Sequence, residues 1–260
     1  MENMLDVLFL GTCACDFSKR LETDLKDVFD KDVRRSSSML IDGEILVDCG
    51  PHTLDSLRIS GISLDCISSV VITHLHDDHF NIDNISAIAK RREAPLKLFV
   101  REDADIDISC GVEIVRMKPF AQYCLNNGTT VTGMDANHDA TAYPQHLLFE
   151  KNNKKLFYGC DGAWLLNTTY YALQNAKLDM MVLDCTTGDY EGDYRMGEHN
   201  SIPMLRVMLP SLRTFGVITD STKVYFSHLA PSLHASHSET EKIAVEMGAH
   251  VAYDGLEIQV

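Results

Sequence analysis

Residues 73–79 read Thr73-His74-Leu75-His76-Asp77-Asp78-His79 and follow directly on the apolar run Val70-Val71-Ile72. Such a run predicts a buried strand, so the cluster sits where a strand ends and a loop begins. Three imidazoles and two carboxylates within six residues are costly to desolvate beside a buried strand. A bound metal ion removes the conflict, because neutral imidazole and carboxylate are ordinary ligands for zinc and related divalent ions. Side chains at i and i+2 of an extended segment point the same way, so His74 and His76 can grip one ion. Asp78 and His79 come after the chain turns and can face a second.

The pattern His74-x-His76-x-Asp78-His79 after an apolar strand resembles the signature of the metallo-β-lactamase fold superfamily, and the resemblance spans residues 7–260. It implies an α/β fold, a four-layer αβ/βα sandwich, with a His, an Asp and a His following in order, each at a strand end. The chain offers His138 in Met134-Asp135-Ala136-Asn137-His138, Asp161 in Tyr158-Gly159-Cys160-Asp161-Gly162, and His228 in Tyr225-Phe226-Ser227-His228. The resemblance implies that His74, His76 and His138 hold one ion, that Asp78, His79 and His228 hold the other, and that Asp161 bridges them. The cofactor expected is thus a pair of divalent ions, zinc or manganese, since a carboxylate bridge suits harder metals as well as zinc. Cys160 competes with Asp161 for the bridging place. Members that open β-lactams often carry a Cys there, many phosphodiesterases and thioesterases an Asp, and the Gly162 turn matches the Asp pattern.

At 260 residues and 45% hydrophobic, the chain can bury a large core, and one domain over residues 1–260 is the simplest reading. No run approaches the roughly 18 apolar residues of a membrane span. The acidic start, with no basic region before an apolar core, does not resemble a signal peptide, so the cytoplasm is the expected location. The eight cysteines then read as mostly reduced, buried thiols. No CxxC pair is present, and Cys13-Ala14-Cys15 is the nearest approach to a further metal site. A net charge of −15 repels polyphosphate backbones, which argues against a large nucleic-acid substrate and leaves room for a small phosphorylated one. A homodimer is compatible with all of this.

The expected elements are strands over residues 5–10, 38–41, 44–48, 96–100, 112–117, 129–133, 146–150, 154–158 and 180–183, besides the runs that precede His74 and His228. The Asp42-Gly43 pair predicts a hairpin, as does the polar turn at 151–153. Helices are expected over 51–60, 82–92, 168–175, 202–209 and 238–247, the last capped by Ser238 and stopped by Gly248. Residues 251–253 and 257–260 read as a closing hairpin around Asp254-Gly255. Residues 16–35 read as a charged, irregular insertion.

Within the superfamily the chain most resembles the phosphoribosyl cyclic phosphate phosphodiesterases and their relatives near the tRNA 3′-end endonucleases. The segments that carry this are Leu8-Phe9-Leu10-Gly11-Thr12, Arg34-Arg35-Ser36-Ser37-Ser38, Val47-Asp48-Cys49-Gly50 and Gly197-Glu198-His199-Asn200-Ser201. Those phosphodiesterases often carry an early cysteine-rich zinc loop, and here only Cys13 and Cys15 stand in that region. The resemblance implies hydrolysis of a small, cyclic or nucleotide-like phosphodiester by hydroxide held between two metals. Asp78 and His199 are the candidate catalytic residues, His199 as a proton donor outside the metal ligands. Arg35 and Ser37 are candidates to hold the substrate phosphate. Trp164 is placed either to stack on a ring or to pack at a rim. His234 and His237 either line the site or cap the helix after them, and His52, His146 and His250 read as structural. The other readings are a thioester or lactone hydrolase of the same fold and a non-catalytic metal-binding sensor.

Overall fold

The computed structural model describes residues 4–108 and 111–260. The chain opens with β1 (Asp6–Gly11) and then makes the hairpin of β2 (Ser38–Ile41) and β3 (Ile45–Val47). Its turn has positive φ at both Asp42 and Gly43, the conformation that matches the twist of the flanking strands. Next come α1 (Thr53–Ile59), β4 (Ser69–Val71), α2 (Ile82–Ala89), β5 (Leu96–Arg101) and β6 (Val112–Met117). Strands β3, β4 and β5 pair parallel across the helical crossovers of α1 and α2, and β6 also lies parallel to β5. The second half holds β7 (Gln122–Cys124), β8 (Thr130–Asp135), β9 (Gln145–Lys151), β10 (Lys154–Gly159), α3 (Asn167–Ala172) and β11 (Met180–Asp184). It ends with α4 (Ile202–Thr214), β12 (Lys223–Ser227), α5 (His237–Glu246), β13 (His250–Val251) and β14 (Glu257–Gln259).

Two seven-stranded mixed sheets result, ordered β14-β1-β2-β3-β4-β5-β6 and β13-β12-β11-β10-β9-β8-β7. Period-two alternation sends Val7, Phe9, Met39, Val47, Val71 and Phe99 of the first sheet inward against Val131, Leu147, Phe149, Leu156, Tyr158 and Val182 of the second. The opposite residues of the first sheet, such as Leu40, Leu46, Val70 and Leu98, pack on Leu57 of α1 and Ile85 and Ile88 of α2. On the second sheet, Phe157, Met181, Leu183 and Phe226 pack on Leu205, Leu209 and Leu212 of α4 and Ala244 of α5. Helix, sheet, sheet and helix form the four layers of a metallo-β-lactamase sandwich. No helix among the described residues is long and apolar enough to cross a membrane.

Several elements depart from the sequence reading. Strand β7 was not expected, because its three residues expose both end positions and only Tyr123 is partly buried. Helix α4 runs past Pro210 to Thr214, since Leu209 and Leu212 on its buried face continue the packing on the second sheet. The cap of α5 is Ser236, not Ser238, and Ser236 and Glu239 form a reciprocal capping box. Residues 251–260 do not make a hairpin. Strand β13 joins β12 in the second sheet, whereas β14 pairs antiparallel with β1 in the first. Of the cysteines, Cys13, Cys49, Cys160 and Cys185 are buried thiols but Cys15, Cys66 and Cys124 are exposed; Cys110 lies outside the described residues.

The crossing between sheets is anchored by Asp254, a buried carboxylate that accepts hydrogen bonds from the Arg35 amide (2.7 Å) and the Thr12 hydroxyl (2.9 Å). Burial pushes its pKa up to about 6, against the stabilising pull of those donors and of Arg34. A carboxyl raised above its unfolded value of 3.8 contributes stability that is complete below about pH 4 and is lost as pH rises through 6. Asp254→Asn, which cannot ionise, is expected to remove that component. Thermal unfolding of the two proteins between pH 4 and 7 should show the wild type losing about 3 kcal/mol relative to the variant as pH rises. Parallel profiles would show that Asp254 does not titrate in this window.

Candidate metal centre

The ligand candidates come from loops at one edge of the two sheets. His74, His76, Asp78 and His79 follow β4, His138 follows β8, Asp161 follows β10, Asp184 ends β11 and His228 follows β12. The backbone at these corners is bent tightly, with left-handed φ at Asp161 (58°) and His228 (57°). Asp48, behind the His74–His79 loop, shares this conformation (φ 58°). Such conformations cost non-glycine residues energy and tend to occur where side chains must be aimed. Gly50 lets the 74–79 loop close, because a Cβ there would lie 1.9 Å from the Asp78 carbonyl oxygen.

All seven predicted ligands meet at this edge. Potential ligand atoms of His74, His76, His138 and Asp161 lie within 4.8 Å of one another, and so do those of Asp78, His79, Asp161 and His228. Asp161 belongs to both groups. Its Oδ2 faces His74 Nε2 at 3.3 Å, His228 Nε2 at 3.3 Å, His79 Nε2 at 3.5 Å and His138 Nε2 at 3.6 Å. Cys160, its competitor in the sequence, is instead buried between the sheets.

The hydrogen bonds behind the rings decide which nitrogens are free. Thr73 donates its hydroxyl to Asp48, so its oxygen can accept from His74 Nδ1 (3.0 Å). Thr186 donates to Asp184 (2.8 Å), so its oxygen can accept from His228 Nδ1 (2.7 Å). His79 Nδ1 donates directly to Asp48 (2.8 Å), and His138 Nδ1 to the Glu198 carbonyl (3.3 Å). With the proton on Nδ1, each neutral ring presents the lone pair of Nε2 inward. These inner nitrogens come as close as 3.2 Å between His79 and His228, and His76 Nδ1 lies 3.0 and 3.1 Å from those of His74 and His138. Lone pairs facing one another at such distances repel unless positive charge stands among them. Divalent ions supply it, and outward donation to carboxylate, hydroxyl or carbonyl is the arrangement that orients metal-binding histidines. The donor set of five imidazoles and two carboxylates therefore fits the expected ions.

Without ions, the carboxylates draw onto some of these rings protons that a bound ion would displace. Burial disfavours charge on every group here, yet the charges of Asp78 and Asp48 bring His79 up to about 10, and Asp161 and Asp184 bring His228 up to about 10. Burial and the neighbouring His79 push His74 down to about 3. Asp78 and Asp161 resist burial and are held well below the usual carboxylate range by surrounding imidazoles.

His199 stands beside the cluster with one ring nitrogen committed. Its Nδ1 lies 2.8 Å from Asp161 Oδ1 and 3.0 Å from Asp184 Oδ2, and its ring stacks on His228. Burial lowers its pKa, but Asp184 and Asp161 outweigh that and raise it to about 11. Nε2 is the nitrogen left for a molecule in the adjoining cleft. That cleft, of about 260 Å³, is lined by His76, Asp78, His138, Asp161, His199 and His228, and Arg195 is the one Lys or Arg side chain on its wall among the described residues.

Other predicted residues lie elsewhere. Arg35 is buried, and its guanidinium donates to the carbonyls of Leu25 (2.6 Å) and Val28 (3.2 Å), inside the 16–35 segment. It organises that segment around Leu21, Leu25 and Val33 and does not line the cleft. Ser37 is buried too and donates to the Cys13 carbonyl (2.9 Å). A phosphate-holding role for this pair is corrected by that placement. Cys13 is buried and Cys15 exposed, and neither is among the metal-capable groups of the described residues. His234 donates to the Cys185 carbonyl (2.7 Å), His237 is the first residue of α5, and His146 is fully buried beneath Gly162. The sequence reading missed Asp184, which holds His228 and His199, although it ends the apolar run 180–183 just as the ligands end theirs. Arg195, inside a polar loop, carried no such signal.

A two-sheet α/β sandwich with a histidine and aspartate cluster at one sheet edge is a metallo-β-lactamase fold protein. The sequence matches the beta-lactamase superfamily domain over residues 44–251, and the chain belongs to this family of metal-dependent hydrolases. Among solved structures it is similar to the metallo-β-lactamase fold protein YhfI from Bacillus subtilis, at 14% identity and TM-score 0.76 over 99% of this chain and 100% of that one. A new diphosphatase from the PhnP family is 18% identical, with TM-score 0.72 over 99% and 97% of the two chains. Zinc-bound PqqB from Methylobacterium extorquens is 17% identical, with TM-score 0.72 over 98% and 100%. No curated protein matches the sequence.

Proposed function

We propose that this protein is a phosphodiesterase acting on a small substrate, with His74, His76, Asp78, His79, His138, Asp161 and His228 holding two divalent ions. The observation that carries the reading is Asp161, a carboxylate shared by two histidine groups in a small cleft whose other walls bear His199 and Arg195. Bound ions would lower the pKa of water and take up charge developing on a phosphoryl oxygen. The ligand side chains fix where that oxygen sits, and Asp48 and Asp184 fix the ligands. Arg195, paired with Asp193 at 2.7 Å, offers the cleft a cation for a phosphate, in the role first expected of Arg35 and Ser37. His199, held by Asp161 and Asp184 through Nδ1, donates a proton from Nε2 to the leaving oxygen. The cleft is smaller than the roughly 300–1,000 Å³ of pockets for drug-sized ligands, which favours a small substrate. With a net charge of −15, a long nucleic acid is the less suitable partner. The resemblance to phosphodiesterases and the structural likeness to a PhnP-family diphosphatase support the same choice. The test is hydrolysis of bis-p-nitrophenyl phosphate, a thioester and a lactone with zinc and with manganese. The phosphodiester is expected to be cleaved fastest, and a thioester or lactone far outpacing it would overturn the reading.

A further inference from the structure

We propose that the hollow on the other side of His199 is a subsite for a neutral aromatic group carried by the leaving portion of the substrate. The inference rests on the phosphodiesterase reading and adds the chemical class of what leaves. A second cavity, also of about 260 Å³, adjoins the metal cleft, and His199 is in the wall of both. Its other walls are mainly apolar: Trp164, Tyr190, Met196, Pro203, Met204 and Val207. Tyr190, Met196 and Val207 are each about half exposed or more (50%, 48% and 62%). Apolar surface left in water beside a polar site is a recurrent mark of a ligand-binding groove.

The charges choose the occupant. Glu191 and Asp193 are the acidic side chains on this wall, and Asp193 is paired with Arg195 at 2.7 Å. Among the described residues no Lys or Arg side chain lines the hollow, so it offers an anion little. The cation that would hold a phosphate, Arg195, belongs to the metal cleft. A substrate that straddles His199 therefore sets its anionic phosphoryl group over the metal cleft and an uncharged portion in the hollow. Trp164 and Tyr190 provide aromatic faces for a ring, and the volume exceeds the about 150 Å³ of a cavity that takes up benzene. One ring or a fused pair fits.

The hollow and the acid are also held by one network. Asn200 accepts a hydrogen bond from the Trp164 amide (2.9 Å), donates to the Gly162 carbonyl (2.9 Å) and, through its own amide, donates to Asp184 (2.8 Å). Asp184 in turn holds His199. The ring wall, the Asp161–Gly162 turn and the proton donor thus keep a fixed relation, and a ring seated in the hollow presents its attached oxygen to His199.

Trp164 is the chain's one tryptophan, so its fluorescence reports on the hollow without turnover. Titration with 4-nitrobenzyl alcohol, a neutral aromatic quencher, is expected to give saturable quenching. Val207→Arg, at an exposed helix position that tolerates the longer side chain, should abolish the saturation and leave only the linear collisional component. Met196→Ala, also exposed, should weaken it. In a second arm, benzyl methyl phosphate and ethyl methyl phosphate release similarly basic alkoxides. The benzyl compound is expected to have a kcat/KM at least about tenfold higher, equivalent to about 1.4 kcal/mol, and Val207→Arg should reduce that ratio. Linear quenching in the wild type, or saturable quenching unchanged in both variants, would overturn the subsite. Equal turnover of the two esters would overturn it as a substrate site. Saturable quenching lost in Val207→Arg, with neither ester hydrolysed, would uphold the aromatic site while the phosphodiesterase reading failed.

Discussion

Asp161→Ala is expected to abolish stable binding of both ions together and, with it, hydrolysis. No other side chain of the cluster is shared by both metal-capable groups in this way, with one oxygen facing four ring nitrogens at 3.3–3.6 Å. Loss of any other ligand removes one contact from one ion. Loss of Asp161 takes one from each and leaves four imidazoles converging without their carboxylate. The fall in metal affinity should exceed the roughly 10–100-fold typical of losing a partner behind a ligand. Asp48→Asn supplies that milder comparison, because Asp48 holds His79 from behind. Metal content after dialysis, measured beside phosphodiester hydrolysis, checks both. Two ions retained in Asp161→Ala would remove the bridging role.

His199→Ala should produce the next largest effect, with a different signature. If His199 protonates the leaving oxygen, kcat falls by roughly 10²–10⁴-fold, the usual range for acid–base assistance. Metal content should stay intact, because the seven ligands do not include it. The loss should shrink for p-nitrophenolate, a leaving group that needs little protonation. An equal loss on good and poor leaving groups would assign His199 to structure or binding. Loss of metal would make it a ligand, an alternative that the geometry allows, since Asp161, Asp184, His199 and His228 also bring ligand atoms within 4.8 Å. Of the contacts that raise the His199 pKa, with Asp184 and Asp161, the one with Asp184 is not shared with the ions and stays available to hold the proton. Asp184→Asn would remove one of those contacts and should lower the pH at which activity fades.

What the sequence disclosed followed a simple rule: an apolar run that ends in a histidine or aspartate is a strand delivering a ligand. His74, His138, Asp161 and His228 were legible that way; Asp184 likewise ends an apolar strand but serves behind the ligands, holding His199 and His228, and lacks a neighbouring motif to draw the eye. Arg35 misled because a guanidinium beside serines suits a phosphate as well as it suits backbone carbonyls, and only three-dimensional placement separates the two. Arg195 was illegible, since its place at the cleft depends on how the 188–201 loop is carried back by Asn200 and Asp184. The final strands were misread for a related reason. Asp254-Gly255 has hairpin chemistry, but its carboxylate is taken by Thr12 and Arg35, which turns the chain toward the other sheet.

That last strand has a consequence for how the molecule comes into being. Apart from β14, the first sheet is complete once residue 117 has been made, yet the outer edge of β1 stays unpaired until Glu257–Gln259 exist. At roughly 5–20 residues per second of synthesis, β1 waits on the order of 12–50 seconds with an open edge. During that interval it is the exposed template most able to pair with a neighbouring chain. Closure of this edge comes when Gln259 reaches Asp6. A nascent chain of this fold is therefore open to association through β1 for as long as residues 118–256 are being made, and a slow ribosome lengthens the risk.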